Sequence, residues 1–301
     1  MEDAAAQLEA LCSLEGDAVA AGDAALLAEI AAEAAALAGR LRRVARRARL
    51  DGPHDERGAV LVIEPAGGSA AWDWPGEIAR MYGRWAERQG GEAHVVKRQE
   101  DMDGQSRVIL ELPQRFAYGL LADEAGVHAL EETDPNRGAH AGRPVRARAR
   151  VMVLPEAGED ELPGVEDEVV IRLVRHGHGV SCHGPRCHAW IEHPPTRLWV
   201  PCEDGHEGRQ RAMAVIRAHV LGRALRVTEG RALDRDAPPI RTYTCARGAR
   251  GARGVRGEAA PEVEDHRTGA HAPVTAAVLD GDLDDFLDAA LRRRDVTGRQ
   301  A

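Results

Sequence analysis

Apolar residues recur at helical spacing from the amino-terminal end to about residue 49, and from Gly58 onward they recur at strand spacing, so this chain must build two different kinds of layer. Residues 3–20 are rich in Ala, Leu and Glu. Gly22 and Asp23 then break and recap the chain, with Asp23 as N-cap of a second helix to about Arg49. Ile30, Leu37, Leu41 and Val44 are expected on one face of that helix. Arg40, Arg42, Arg43, Arg46, Arg47 and Arg49 crowd its C-terminal part, where cations favour the helix dipole. A solvated helix end is the first reading of that cluster, and contact with RNA phosphate the second.

After Gly58 the stretch AVLVIE at 59–64 predicts a strand, and Pro65, Gly67, Gly68 and Ser69 a turn. A helix is expected from about Asp73 to Gln89 with Ile78, Met81, Tyr82 and Trp85 on its buried face, ended by Gly90 and Gly91. Strands follow near 92–98, 106–112 and 146–154, and the acidic Pro/Gly stretch 155–168 is expected as a linker at a domain edge. Helices and short strands alternate without a parallel-sheet fingerprint, which is an α+β arrangement. Leu283, Phe286, Leu287, Ala290 and Leu291 give a C-terminal helix one inward face.

Aromatic residues make up only 3% of the chain, so the core must rest on Ala, Val, Leu and Ile. Lys97 is the only lysine, and the Ala, Gly and Arg bias is that of a GC-rich genome. The formal charge of −9 is unlike that of a general nucleic-acid binder, so any RNA contact must come from local basic patches. An odd count of five cysteines argues against a disulfide framework and for free thiols or metal ligands. No apolar run reaches bilayer length and no secretory leader opens the chain. The expectation is a cytoplasmic protein with no membrane partner.

Several blocks, in order, resemble the bacterial class I peptide chain release factors, most nearly the factor-two type that reads UGA. DGPHDERGAVLVIEPAGGSAAWDW and RMYGRWAERQGG are similar to the opening of the codon-recognition region, and FAYGLLADEAGVH at 116–128 and VLPE at 153–156 to its continuation. IEHPPTRLWVPCED at 191–204 resembles the stretch after the family's catalytic loop, and IRTY at 240–243, DHRTG at 265–269 and AVLDGDLDDFLDAAL at 277–291 its C-terminal part. The resemblance implies a multidomain α+β fold. Its parts would be a shortened N-terminal helical hairpin at 1–50, a mixed codon-recognition-type superdomain at 51–155 with 226–301, and an inserted small α+β domain at 156–225.

The functional motifs of the family do not carry over. Its Gly-Gly-Gln loop uses glycine backbone freedom and a glutamine amide to stabilise charge as water attacks the ester. The corresponding stretch here is RHGHGVSCHGPRCHAW at 175–190, slightly shorter than the family's. The triplet falls within His178, Gly179, Val180, Ser181 and Cys182, and no register supplies glutamine or paired glycines. No catalytic residue is therefore assigned, and release by the family mechanism is expected to be lost, as in a pseudo-enzyme. Where the factor-two type carries Ser-Pro-Phe, this chain has Asp134, Pro135 and Asn136, and an aspartate there would repel mRNA phosphate. The family's stacking histidine is also absent, its place falling near Val145 and Arg146.

Two features replace what is missing. His178, Cys182, His183 and Cys187 are candidate zinc ligands, because two thiols separated by four residues, flanked by imidazoles, suit Zn²⁺. Drift in a loop that lost its task is the competing reading. RGAHAGRPVRARAR at 137–150 and ARGARGARGVRG at 246–257 concentrate arginine in an acidic chain, and the second is inserted relative to the family. Arg143, Arg146, Arg148, Arg247, Arg250 and Arg253 are the candidates for contact with ribosomal RNA, against a solvated insertion. Three functions follow: a protein of the ribosomal A site that neither reads stop codons nor hydrolyses peptidyl-tRNA, a zinc protein reusing the scaffold, and a ribosome rescue factor with a substitute loop. No small-molecule substrate is indicated.

Overall fold

The structure is a computed structural model that describes residues 2–68, 73–100, 106–133, 145–173, 189–202, 206–225, 234, 236–246, 262–273 and 275–297. The chain forms two compact units, Met1–Asp51 and Gly52–Ala301. The first is a helical hairpin of α1 (Glu2–Ala21) and α2 (Ala24–Arg47). Gly22 takes φ +68° at the turn, and the Asp23 carboxylate accepts from the Ala25 and Leu26 amides at 3.1 and 3.0 Å, which satisfies two donors that a helix start leaves free. Leu11, Ala18, Ile30 and Leu37 form the hairpin core. The predicted face of α2 is divided, because Leu41 and Val44 stay exposed. Arg40 bonds Gln7 at 3.0 Å, and beyond that level the described side chains of α1 are only Ala4, Ala5 and Ala6, too short to cover them.

The second unit is built on an eight-stranded sheet. Its strands are β1 (Ala59–Gly68), β2 (His94–Glu100), β3 (Ser106–Leu112), β4 (Gly126–Thr133), β5 (Val145–Pro155), β9 (Arg241–Ala246), β10 (Glu262–Asp265) and β11 (His271–Ala272), in the order β11-β10-β9-β4-β5-β1-β3-β2. All pairs are antiparallel except β4 with β9. Three further strands, β6 (Val170–Leu173), β7 (Ala189–His193) and β8 (Leu198–Cys202), make a small antiparallel sheet. On one face of the large sheet pack α3 (Trp74–Arg88), α4 (Ala117–Leu121), α6 (Thr275–Leu279) and α7 (Asp284–Thr297). There Ile78, Met81, Tyr82 and Trp85 meet Leu61, Ile63 and Val151, together with Phe286 and Leu287. Gly281 takes φ +89°, and a Cβ on it would stand 2.4 Å from the Trp85 amide, so only glycine lets the α6–α7 turn approach α3 this closely.

The opposite face is covered by α5 (His206–Ala224) and the small sheet. Val60, Val62, Ile109 and Leu154 of the large sheet close on Met213, Val215 and Ile216 of α5 and on Ile191 and Val200. The expected helix at 73–89 and strands near 92–98, 106–112 and 146–154 are present, and Asp73 caps α3. The turn expected at Pro65–Ser69 is instead strand as far as Gly68. Pairing with β3 ends at Ile63↔Val108, while pairing with β5 continues across a register shift to Gly68↔Ala147. Proline and a φ +111° glycine at a shift on a one-sided stretch cost the ladder little. The stretch 155–168 is tied down, since Arg57 donates to the Glu156 carbonyl at 3.0 Å and to Glu161 at 2.6 Å, and Val165 is buried. Among the described residues, Cys12, Cys202 and Cys245 form no disulfide, and no helix is long and apolar enough to cross a membrane.

Candidate functional site

The registers bring several strand ends together at one end of the large sheet. Thr133, the last residue of β4, pairs with Ala246, the last of β9. Glu132 pairs with Val145 at the start of β5, and Glu262 at the start of β10 pairs with Thr244. The residues that flank 134–144 and those that flank 247–261 are therefore neighbours on adjacent strands, although more than a third of the chain separates them in sequence. Asp134, Pro135, Asn136, Arg143, Arg247, Arg250 and Arg253 lie outside the described residues.

Arg146 and Arg148 are described, and with Arg150 they alternate with the buried Ala147 and Ala149, so all three project from the face opposite α3. Arg146 is well exposed and pairs with Glu131 at 2.9 Å. Arg148 donates to the Ala237 carbonyl. Arg150 and Arg107 both hold Glu64, the latter at 2.6 Å. The small sheet brackets the other stretch of interest, since Leu173 of β6 pairs with Ala189 of β7. Gly179, Val180, Ser181 and the zinc candidates His178, Cys182, His183 and Cys187 lie outside the described residues. Among the described residues no group of three or more His, Cys, Asp or Glu side chains is placed to hold a metal ion. A cavity of about 350 Å³ opens at the other end of the large sheet, lined by Glu56, Arg57, Arg115, Glu156 and Glu161, with Arg57 committed to Glu161.

The roots of β4, β9 and β10 hold what sequence reasoning missed, a fully buried charge cluster. Arg241 donates to both oxygens of Glu124 at 2.7 Å and to Asp265 at 3.0 Å, and all three side chains are inaccessible to solvent. Its guanidinium lies 4.3 Å over the Phe286 ring. Arg267 adds a bond to Asp265 at 2.7 Å. These residues sit in ADEAGVH, IRTY and DHRTG, three of the blocks that carry the family resemblance. A charged residue inside each of these blocks was the only signal, and it looks the same as a solvated position.

His128, also fully buried, completes the cluster. Its Nε2 lies 3.1 Å from the Glu124 carbonyl, which can only accept, so Nε2 carries the proton and Nδ1 accepts from Tyr243 Oη at 3.1 Å. Burial pushes the imidazole down to about 4, against the opposing pull of Glu124. Burial alone would raise the Glu124 and Asp265 carboxyls. For Glu124 the charges of Arg241 and Arg267 outweigh burial, and for Asp265 the Arg267 hydrogen bond and the Arg241 charge do, so both are held below the usual range. All three shifts act in one direction. The folded state takes up fewer protons than the unfolded state as pH falls, so stability is lost on acidification. For His128 the loss begins below about 6.5 and is complete near 4, and it is on the order of 3 kcal/mol. The carboxylates add to it below about 4.5. Urea midpoints at neutral pH and at about pH 4.5 should differ accordingly, and His128→Gln should flatten the dependence between those values.

Residues 1–135 match the PCRF domain family. Peptide chain release factor 2 of Chloroflexus aggregans is 35% identical over 285 residues, spanning 90% of this chain and 74% of that protein. The chain belongs to the class I peptide chain release factor family. Peptide chain release factor 2 of Thermomicrobium roseum is 32% identical over 296 residues, covering 95% of this chain and 77% of that one. The solved structure of RF2 of Thermus thermophilus superposes with a TM-score of 0.65 at 29% identity, over 98% of this chain and 85% of that one. The chain is thus a member of a family of translation termination factors, with the multidomain α+β release factor fold. Its fully buried Glu124–Arg241–Asp265 cluster lies at the roots of β4 and β9, whose far ends flank 134–144 and 247–261.

Proposed function

We propose that this release factor, of the factor-two type, enters or competes for the ribosomal A site without reading stop codons and without hydrolysing peptidyl-tRNA by the family mechanism. One observation carries the reading: Gly-Gly-Gln occurs nowhere in the 301 residues, and the stretch in the position of the catalytic loop offers Gly179, Val180, Ser181 and Cys182 instead. Valine resists the positive φ that glycine permits, and none of these side chains presents an amide. Asp134, Pro135 and Asn136 replace a codon-reading tripeptide with one that carries negative charge toward mRNA. In this reading the protein works in the cytoplasm, 156–225 is the inserted domain, and 51–155 with 226–301 form the superdomain that seats on the ribosome.

Binding to ribosomal RNA falls to Arg143, Arg146, Arg148, Arg247, Arg250 and Arg253. The side-by-side ends of β4, β5, β9 and β10 support this assignment, because they deliver two arginine-rich stretches to one end of the sheet. A chain of net charge −9 needs such local concentration to approach a polyanion. Co-sedimentation with ribosomes should weaken steeply between roughly 50 and 200 mM salt, as expected when arginines that neutralise phosphates release counterions. Replacing Arg247, Arg250 and Arg253 by glutamine should lower the slope by about one for each phosphate no longer neutralised. A protein that never pellets with ribosomes at low salt would refute the reading.

A further inference from the structure

Lys97 is the only lysine of the chain, yet it is 5% exposed on an edge strand, where lysines ordinarily face water. A register shift in β2 lies between Val95, paired with Leu110, and Lys97, paired with Ile109. Such an irregularity re-aims side chains. Val95 is left 56% exposed, while Lys97 shares the face of Ile109, which belongs to the core beneath the small sheet. The Lys97 ammonium lies 3.3 Å from the centroid of Trp199 and 5.5 Å from that of Trp190. The two indoles meet edge-to-face at 4.5 Å. Trp190 belongs to β7 and Trp199 to β8, so one cation on the large sheet engages both of these strands of the small one. Taking an ammonium out of water is costly, and the negative faces of two indoles offset part of that cost only while they stay over it.

We propose that Lys97 is a positioning residue, a cation–π clip that fixes the small sheet, and with it the strands β6 and β7 that bracket 174–188, against the edge strand β2. The inference stands on this cation–indole geometry and is independent of whether the protein releases peptides.

The test is hydrogen–deuterium exchange of the full chain. Lys97→Met keeps the apolar stem and removes the charge, whereas Lys97→Arg keeps a cation that stacks on indole. In Lys97→Met, amides of β7 and β8 should exchange about thirtyfold faster, the factor carried by a desolvated cation–π pair, with β1, β5 and α3 unchanged. Lys97→Arg should exchange like the parent chain. Trp199→Leu should reproduce the Lys97→Met pattern, and the double variant should be no faster than the faster single one. Exchange in Lys97→Met equal to the parent would overturn the proposal, and so would Lys97→Arg as fast as Lys97→Met or additive effects in the double variant. Should Lys97→Met fail to fold, Lys97→Arg and Trp199→Leu decide in the same way.

Discussion

Stop-programmed ribosomes carrying formyl-methionyl-tRNA are expected to keep their formyl-methionine in the presence of this protein, with release at least about a hundredfold below that of a family member that has Gly-Gly-Gln. The size follows from the chemistry. Losing one donor that stabilises charge at the reacting oxygen costs about 10²–10³ in rate, and here the glycine backbone that would aim such a donor is missing as well. The sequence suggests a direct control. Val180→Gly with Ser181→Gln writes the family triplet at 179–181 while leaving Gly179 in place. Release that rises in this variant and is absent from the parent would locate the deficit in the loop. Release by the parent chain at the rate of an authentic factor would refute the proposed function.

Replacing Arg241 by methionine is expected to remove about 3–5 kcal/mol of stability, the usual loss when one partner of a buried ion pair is deleted. The loss is large because Glu124 and Asp265 would keep their negative charges in a space closed to water, with Arg267 their remaining close cation. Methionine fills much of the volume and can lie on Phe286, so the effect reads charge rather than a cavity. For a unit of this size that loss corresponds to a drop in Tm of about 10 °C. Arg84→Ala provides the contrast: its partners Glu87 and Asp280 are exposed, and the change should stay within about 0.5 kcal/mol. An Arg241→Met chain as stable as the parent would mean that the cluster is neutralised in another way.

The cluster also shows where reading a sequence stops. Glu124, Arg241 and Asp265 each stand in a quoted block, but nothing local tells a charged residue that it will be buried. Arg241 reaches its partners across 117 and 24 residues. Helix α5 went unread for a related reason. Ala212, Met213, Val215, Ile216, Ala218 and Leu221 are buried on several of its sides, and Arg217 with them, so it shows no clean one-sided periodicity. The strand β6, with four residues, is at the shortest length at which alternation stands out.

What the sequence alone determined is short in range: the cap at Asp23, the helix starting near Asp73 and its buried face, the strands around 59–64, 106–112 and 146–154, and the inward face of the last helix. Each follows from a hydrogen bond or a side-chain period within a few residues. The family blocks, and the absence of Gly-Gly-Gln among them, are equally properties of the chain as written. Only the tertiary structure decided that β9 inserts parallel beside β4, that β1 runs on through Pro65, and that the sole lysine lies beneath two indoles. Such outcomes depend on which distant groups can exclude water together. That is settled by summed burial over the whole sheet, and no local stretch of sequence contains it.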